Sequence, residues 1–285
     1  MLNYFQILIL AIIQGACELL PVSSSAHVIV AEKLMGLNPS APAMTLLLVM
    51  LHTGTMFAVI VYFWKGWKSD YFSSWQTSWS FAKRVFLATL CTGVVGLGLK
   101  ILIEKIILHG TPHAEVEMLF SNLPLIAIAL AAVGLFMIIT GNREDQVTTH
   151  PSLTTKHSFW IGIVQGLCLP FRGFSRSGAT ISTGLLFGLP KKKIEEFSFA
   201  LAVVLTPAVM IKEIHRLLHA HVLSHDGPLH HLFVQCLIGM VFSFFAGLLA
   251  LRWLSHSLEE GRWKFFGFYC LVASALIFLL NSFFL

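Results

Sequence analysis

Long apolar segments alternate with short polar ones along most of the chain. A helix that crosses a membrane needs about 20 mostly apolar residues. Four segments meet this length without any Asp, Glu, Lys or Arg. Two shorter segments meet it only if they extend past charged residues near their ends, which is allowed because a lysine side chain there can reach the membrane interface. We therefore predict six membrane-spanning helices, which are Ala43–Trp64, Val85–Ile103, Met118–Gly141, Phe197–Ile211, Leu232–Leu251 and Phe265–Leu285.

Two further apolar regions, Leu2–Leu37 and Phe159–Leu189, are interrupted by polar residues and proline. Each half of these regions has about a dozen residues, which is too short to cross a bilayer. Broken backbone and charge are tolerated at membrane depth only inside protein or along a watery cavity. We therefore predict that each region is a re-entrant helical hairpin. The alternative is a pair of ordinary crossings with kinks.

The two interrupted regions share a sequence motif. Ile13–Cys17 matches Val164–Cys168, each with a Gln-Gly pair, and a proline and a serine cluster follow in both. This internal duplication predicts a single membrane domain made of two halves, approximately 1–142 and 157–285, with a linker at 143–156. Each half has one hairpin and three spans, and an odd number of crossings inverts the second copy. The predicted fold class is thus an all-α integral membrane protein with an inverted-topology repeat.

Composition narrows the class of protein. Apolar residues make up 56% of the 285 residues and charged residues only 12%, whereas a soluble domain has about 25% charged residues. These values argue against a soluble enzyme, a disordered chain and a nucleic-acid-binding protein, even though the net charge is +5. In a membrane protein, Lys and Arg indicate topology instead.

The positive charges are distributed unevenly between the two predicted sides of the membrane. With both termini on one side, twelve Lys and Arg residues lie on the opposite side and five on the side of the termini. Positively charged loops stay in the cytoplasm. We therefore expect a multi-pass protein of the bacterial cytoplasmic (inner) membrane, with both termini outside.

Three ionisable side chains fall inside the interrupted regions, where charge is costly and therefore indicates function. They are Glu18 and His27 in the first region and Arg176 in the second. A guanidinium matches phosphate oxygens, and hydroxyls near helix N-termini add donors, so the set fits an anion with several oxygens. For hydrolysis, the candidate nucleophile is Ser24 or a water, Glu18 and His27 would carry protons, and Arg176 would stabilise charge. The hydroxyls that we expect to contact the anion are Ser23, Ser24, Ser25, Ser175, Ser177 and Thr180.

Each candidate also has a structural interpretation. A serine at a helix start can serve as a cap, Glu18 can simply neutralise Arg176, and His27 can be a hydrogen-bonded buried histidine. Gln14 and Glu18 are four residues apart and share a helix face, which could hold a divalent cation or orient a water or a hydroxyl. His52, in a span without charges, either borders the cavity or has a packing role.

Two segments resemble a known family. Gln14–His27 resembles the first signature of the bacterial undecaprenyl-diphosphate phosphatase family, also called the bacitracin resistance protein family, and Gly173–Thr180 resembles its second signature. The resemblance implies a fold of inverted repeats with two re-entrant hairpins. It also implies hydrolysis of undecaprenyl diphosphate to the monophosphate carrier and inorganic phosphate, which recycles the lipid for peptidoglycan and other wall polymers.

The resemblance assigns roles by position. Glu18 and His27 match the family's catalytic acidic residue and histidine, and Ser24 matches its proposed nucleophile or phosphate-binding serine. Ser175 and Arg176 match the phosphate-binding pair. The family's site is expected to open to the outer face of the membrane.

A divalent cation, Mg²⁺ or Ca²⁺, is also implied, and Gln14 and Glu18 are its predicted ligands. Gln14 stands where many members have Glu, which weakens a metal site there. Pro170–Gly173 departs from the usual Pro-Gly and adds Arg172. That side chain either contacts phosphate or faces the lipid headgroups.

Two functions of different classes follow from these features. The first is a membrane phosphatase whose partners are a polyprenyl diphosphate lipid and the bilayer, with no nucleic acid. The alternative is a polyprenyl-phosphate flippase or an anion transporter, since inverted repeats with hairpins at the midplane are a transporter architecture. A structural scaffold is a weaker third interpretation, because it gives Glu18 and Arg176 no reason to be buried. A homodimer is among the partners considered, although the sequence leaves the oligomeric state open.

Overall fold

The structure, a computed structural model, describes residues 3–38, 41–107, 116–142, 152–219 and 229–284. These parts of the chain are helical and contain no β-strand. A π-helical turn at Ile103–Ile107 and a 3₁₀ turn at Val116–Ser121 accompany the α-helices. The α-helices of the described residues are α1 (Tyr4–Leu19), α2 (Ser24–Leu34), α3 (Pro42–Asp70), α4 (Trp75–Leu102), α5 (Leu123–Gly141), α6 (Thr155–Cys168), α7 (Arg176–Leu186), α8 (Lys191–His219), α9 (Leu229–Glu259) and α10 (Trp263–Phe284).

Six helices are long and apolar enough to cross a membrane, as the sequence predicted. Within the described residues they cover Ala43–Asp70, Trp75–Ile106, Leu123–Gly141, Lys191–His215, His231–Glu259 and Trp263–Asn281. The chain is therefore an all-α, multi-pass membrane protein.

Five of the six helices begin at or before the predicted start of their span, but the third begins later than predicted. It begins at Leu123 and not at Met118, because Asn122 follows the preceding 3₁₀ turn and caps α5. Its side-chain oxygen accepts a hydrogen bond from the backbone N–H of Leu125 at 3.0 Å, which satisfies one of the free donors at the helix start.

Four shorter helices form two pairs. Helices α1 and α2 have 16 and 11 residues, and α6 and α7 have 14 and 11. The members of each pair pack against each other and are joined by a short polar turn. The two turns contain backbone in the left-handed region, at Ser23 (φ 66°) and Gly173 (φ 98°). These pairs occupy the two interrupted regions, and their re-entrant placement in a membrane remains a prediction.

The order of helices is the same in the two parts of the chain. In each, a pair of short helices precedes three long ones. Helix α1 packs on α9, and its counterpart α6 packs on α4, while α5 packs along α10. The proposed boundaries of the halves stay predictions, and much of the predicted linker, 143–156, lies outside the described residues.

Glycines allow the short helices to approach the long ones closely. A Cβ on Gly15 of α1 would lie 2.6 Å from the carbonyl oxygen of Ser243 on α9. A Cβ on Gly162 of α6 would lie 2.4 Å from the carbonyl oxygen of Ala88 on α4. Small residues let membrane helices pack backbone against backbone. Each short pair is thus fixed against a long helix that supports it.

Candidate active site

The turns of the two short-helix pairs meet inside the molecule. The backbone N–H of Gly173, in the second turn, donates to Ser25 Oγ at 3.4 Å. The hydroxyl of Ser177 donates to the carbonyl oxygen of Leu20, in the first turn, at 3.5 Å. Residues that lie about 150 positions apart in the sequence therefore share one site.

A polar cavity of about 180 Å³ lies at this junction. Seven of the predicted site residues line it, namely Glu18, Ser23, Ser24, Ser25, Ser175, Arg176 and Ser177. Cys17, His52 and Phe174 complete the lining. The four other predicted residues, Gln14, His27, Arg172 and Thr180, are not among the residues that line the cavity.

The Glu18 carboxylate is the centre of the hydrogen-bond network. Its Oε2 accepts from the Ser24 hydroxyl at 2.5 Å and from the Gln14 side-chain amide at 3.3 Å. Its Oε1 lies 3.5 Å from Arg176 Nη2. A carboxylate that accepts a short hydrogen bond from a hydroxyl can take the proton of that hydroxyl as it attacks. Glu18 therefore both holds Ser24 and balances the positive charge of Arg176.

Arg176 lies at the start of α7, with its guanidinium between α1 and α8. Its Nη1 donates to the backbone carbonyl of Ser198 at 3.5 Å, on the side away from Glu18. The hydroxyl of Thr180 lies 2.6 Å from that of Ser198, and Thr180 is fully buried. Thr180 thus supports the helix that carries Arg176 instead of lining the cavity. Sequence reasoning missed Ser198, because a contact through a backbone carbonyl leaves no signal in the residue type.

The serines differ in what they do. Ser175 caps α7, since its hydroxyl accepts from the backbone N–H of Gly178 at 3.2 Å, as the sequence predicted. Ser23 occupies the corresponding position before α2 but makes no cap hydrogen bond, because its φ of 66° turns the side chain toward Ser25, with the two hydroxyls 3.2 Å apart. The hydroxyls of Ser23, Ser24 and Ser25 are therefore left to line the cavity.

His27 lies behind the first turn. Its Nδ1 is 2.8 Å from the Ser23 carbonyl oxygen, and its Nε2 is 2.8 Å from the Tyr269 hydroxyl of α10. The two rings also stack, with centroids 5.7 Å apart. Because both ring nitrogens are engaged, His27 holds the strained backbone of Ser23 in place. Tyr269 was not singled out from the sequence, where it is one of many aromatic residues in an apolar span.

Arg172 faces away from the cavity. Its guanidinium lies over the ring of Phe120, 4.4 Å from the centroid. Such a cation–π contact accounts for the position of this side chain without a phosphate. Of the two arginines in the second motif, the structure brings Arg176 to the cavity.

His52 of α3 does border the cavity, which the sequence had left open. Its Nε2 lies 3.8 Å from Glu18 Oε2. Its Nδ1 lies 2.7 Å from the backbone carbonyl oxygen of Leu48, one turn earlier on the same helix. A histidine within an uninterrupted apolar span is the sequence signal that points to such a residue.

The predicted metal ligands do not fit a cation held by the protein. Mg²⁺ and Ca²⁺ need six or more oxygen ligands, largely from carboxylates and water. Here Gln14 presents its amide N–H to Glu18, and the single carboxylate of the cavity is already bonded to Ser24 and beside Arg176. No group of three or more His, Cys, Asp or Glu that could hold a metal exists among the described residues.

The arrangement suits a phosphate group. A guanidinium supplies two parallel donors for phosphate oxygens, and the hydroxyls of two turns supply more. The carboxylate beside Ser24 can supply a base, and the apolar helices around the cavity strengthen these interactions by lowering the local polarity. The cavity therefore has the groups of an anion clamp and a hydroxyl beside a base.

Comparisons with known proteins identify the family of the chain. Residues 7–276 match the family model described as "Bacitracin resistance protein BacA". The chain is 57% identical over 283 residues, covering 98% of both chains, to "Undecaprenyl-diphosphatase 2" of Acinetobacter baylyi. It is 32% identical to "Undecaprenyl-diphosphatase 2" of Burkholderia ambifaria, over 97% of this chain and 95% of the relative. "Undecaprenyl-diphosphatase 1" of Burkholderia pseudomallei shows the same identity, over 93% of this chain and 92% of the relative. This chain belongs to the bacitracin resistance protein (BacA) family.

Proposed function

We propose that the protein hydrolyses undecaprenyl diphosphate to undecaprenyl phosphate and inorganic phosphate and so recycles the lipid carrier for peptidoglycan synthesis. The observation that carries this proposal is the short hydrogen bond between Ser24 and Glu18, 2.5 Å long, beside the guanidinium of Arg176. The names of the relatives, undecaprenyl-diphosphatases that match nearly the full length of the chain, support the choice of substrate.

The terminal phosphate of the substrate binds between the two turns. Arg176 contacts two of its oxygens, and the serine hydroxyls of both turns contact the remaining ones. As the phosphate enters, the Arg176 fork turns from Glu18 and the Ser198 carbonyl, both at 3.5 Å, toward the stronger pairing with phosphate. Small hydroxyl donors at fixed positions are expected to bind the transition state better than the ground state.

Ser24 then attacks the terminal phosphorus. A bond forms between Ser24 Oγ and phosphorus, and the bond from phosphorus to the bridging oxygen breaks, with its electron pair remaining on the departing undecaprenyl phosphate. The proton of Ser24 moves to Glu18. Water next attacks the phosphoserine, inorganic phosphate leaves, and Ser24 recovers its proton. His27 acts on this sequence only by fixing the turn that carries the serines.

The site lies at the membrane midplane in this proposal. The short pairs α1–α2 and α6–α7 are re-entrant hairpins of an inverted repeat that forms one membrane domain. The repeated order of helices and the exchange of partners, with α1 on α9 and α6 on α4, support it. The substrate's isoprenoid tail then stays in the bilayer while its diphosphate reaches the cavity.

The protein is placed in the bacterial inner membrane with both termini outside. Contacts at one end of the helix bundle support this orientation. Lys193 pairs with Asp70, and Lys191 donates to the backbone carbonyl of Glu259 at 3.3 Å, so the ends of α3 and α9 meet the lysine-rich start of α8. Gathering many positive residues at one end is typical of the cytoplasmic side.

A divalent cation enters bound to the diphosphate, because the protein's own side chains do not fit one. Every side chain that the proposal uses comes from one chain, so it requires no second copy of the protein and no nucleic acid. The partners are the polyprenyl diphosphate lipid and the bilayer.

Phosphate release from undecaprenyl diphosphate tests the proposal. Purified protein in detergent should release one phosphate per substrate, and Ser24→Ala should reduce the rate by at least about 10³-fold, since loss of a nucleophile removes the covalent route. Ser78→Ala is the matched control, because Ser78 is a half-buried serine outside the cavity whose hydroxyl donates to the Ser74 carbonyl. Wild-type protein that releases no phosphate, yet moves labelled polyprenyl phosphate across proteoliposomes, would establish the flippase alternative instead.

A further inference from the structure

The side chain of His52 has a fixed tautomer. Its Nδ1 lies 2.7 Å from the Leu48 carbonyl oxygen, which can only accept a hydrogen bond. Nδ1 therefore carries a hydrogen, and in the neutral ring Nε2 carries the lone pair. This nitrogen faces the cavity, where 36% of the side chain is accessible. A histidine held at Nδ1 with a free Nε2 at the reaction site is the arrangement of a general base.

No other described side chain that lines the cavity offers a free base. Glu18 is engaged by the Ser24 hydroxyl at 2.5 Å, and Arg176 cannot accept a proton. His27 does not line the cavity, and its two nitrogens contact the Ser23 carbonyl and Tyr269. The water that completes the reaction therefore needs a proton acceptor other than Glu18 and His27.

We propose that Nε2 of His52 is the general base that takes a proton from the attacking water. This inference rests on the proposed function and deepens it. The water oxygen bonds to phosphorus, the bond from phosphorus to Ser24 Oγ breaks, and the electron pair of that bond takes the proton back from Glu18. One proton of the water moves to His52 and passes from there to solvent.

The groups that face His52 favour this role. Glu18 of α1 lies 3.8 Å from Nε2, and its carboxylate charge, once the proton has returned to Ser24, stabilises the imidazolium. Arg176 of α7 is paired with the other carboxylate oxygen, at 3.5 Å, before the phosphate enters and with the phosphate afterwards, and either negative partner reduces its repulsion of a protonated ring. Cys17 of α1 also lines the cavity. After the proton has left Glu18 for Ser24, the restored carboxylate is again available to hold the imidazolium.

The variant His52→Gln tests the role, because glutamine preserves size and hydrogen bonding but cannot take the proton. We expect kcat to fall by about 10²- to 10⁴-fold, the usual contribution of a general base, while KM changes by only a few-fold. A general base works only in its unprotonated form, so one of the limbs by which wild-type kcat falls as the pH is lowered should belong to His52. This limb should be missing in His52→Gln. Thr53→Ala on the same helix, whose hydroxyl bonds the Val49 carbonyl, should keep wild-type rate and pH profile.

Rapid quenching with substrate labelled in the terminal phosphate adds a second measurement. His52→Gln should accumulate labelled phosphoserine, because the step with water is slowed. The inference would be overturned if His52→Gln had the same kcat as the wild-type protein. It would also be overturned if a well-folded His52→Gln had a lower kcat but kept the same pH limb. Loss of the limb without any phosphoserine would keep His52 as the base and remove Ser24 as the nucleophile. Wild-type protein without phosphate release would refute the proposed function itself.

Discussion

Replacing Gly15 by alanine should disturb the site without touching any residue that lines it. Gly15 lies on the face of α1 that meets α9, three residues before Glu18. An added Cβ would lie 2.6 Å from the Ser243 carbonyl oxygen and 2.7 Å from the Ala246 Cβ. Ordinary van der Waals contacts begin at 3.4 Å. The two atoms that the new Cβ would meet are a backbone oxygen and a Cβ, and neither can move away by a side-chain rotation. Helix α1 must therefore move from α9.

The size of the effect follows from the required shift. Opening the contact from 2.6 to 3.4 Å moves α1 by about 0.8 Å, and Glu18 moves with it. Overpacking of this kind costs about 1–3 kcal/mol, offset by up to about 1 kcal/mol from the better helix propensity of alanine. A misplacement of about 1 Å can cost about 10²-fold in rate. We expect Gly15→Ala to lower kcat/KM by about 10- to 100-fold and stability by about 0–3 kcal/mol.

Gly93→Ala on α4 provides the matched control, since a Cβ there meets nothing within 4 Å. It should keep wild-type activity and unfold at the same or a slightly higher temperature. Phosphate release and thermal unfolding in the same detergent measure both variants. Full activity in Gly15→Ala would show that α1 does not depend on its contact with α9 to position Glu18. Equal losses in both variants would show that any alanine in these helices is harmful, and either result refutes the reasoning.

Two further predictions concern the anion clamp and the cation. Arg176→Lys keeps the positive charge beside Glu18 but loses the planar guanidinium, so we expect a folded protein whose kcat/KM is about 10- to 100-fold lower. This loss corresponds to one hydrogen bond to a charged group, which contributes about 1.5–3 kcal/mol. Arg252→Lys, an exposed site on α9, should be neutral in the same assay, and equal activity of the two variants would contradict the phosphate role. Protein purified without chelator should retain less than about 0.1 equivalent of Mg²⁺ or Ca²⁺ by elemental analysis, since it lacks the oxygen ligands that these ions need. One tightly held cation per chain would contradict this expectation.

Much of the fold could be predicted from the sequence, because the bilayer leaves few choices. Apolar runs of the required length must be helices, and the polar interruptions of Leu2–Leu37 and Phe159–Leu189 predicted that each region divides into two short helices, as the structure shows. The residues at which helices begin and end were harder to predict from the sequence. Local hydrogen bonds decide them, as Asn122 does at the start of α5, and hydropathy does not contain that information.

The site was predictable where its chemistry required a costly residue type. Glu18 and Arg176 are conspicuous because a charge in a broken apolar region has a high desolvation cost. His27 was predicted to be in the site for the same reason, and Thr180 as a hydroxyl donor, but neither side chain lines the cavity. Proximity in the motif does not reveal direction, since a helix turns each successive side chain by 100°.

The two short-helix pairs show how one motif serves two different purposes. Gln14 donates to Glu18 in the first pair, whereas its counterpart Gln165 donates to Thr92 Oγ1 of α4, at 3.0 Å, in the second. The second position is a packing contact between helices, and the first is a contact within the site. Two similar turns thus meet at the cavity, but the helices beside them carry different side chains. The carboxylate lies at the end of α1, just before the first turn, and the guanidinium lies at the start of α7, just after the second, so neither pair alone provides both groups. This division explains why the cavity needs both short-helix pairs to be packed correctly, and why a glycine-to-alanine change on the face of α1 that meets α9 should reduce the activity of the site.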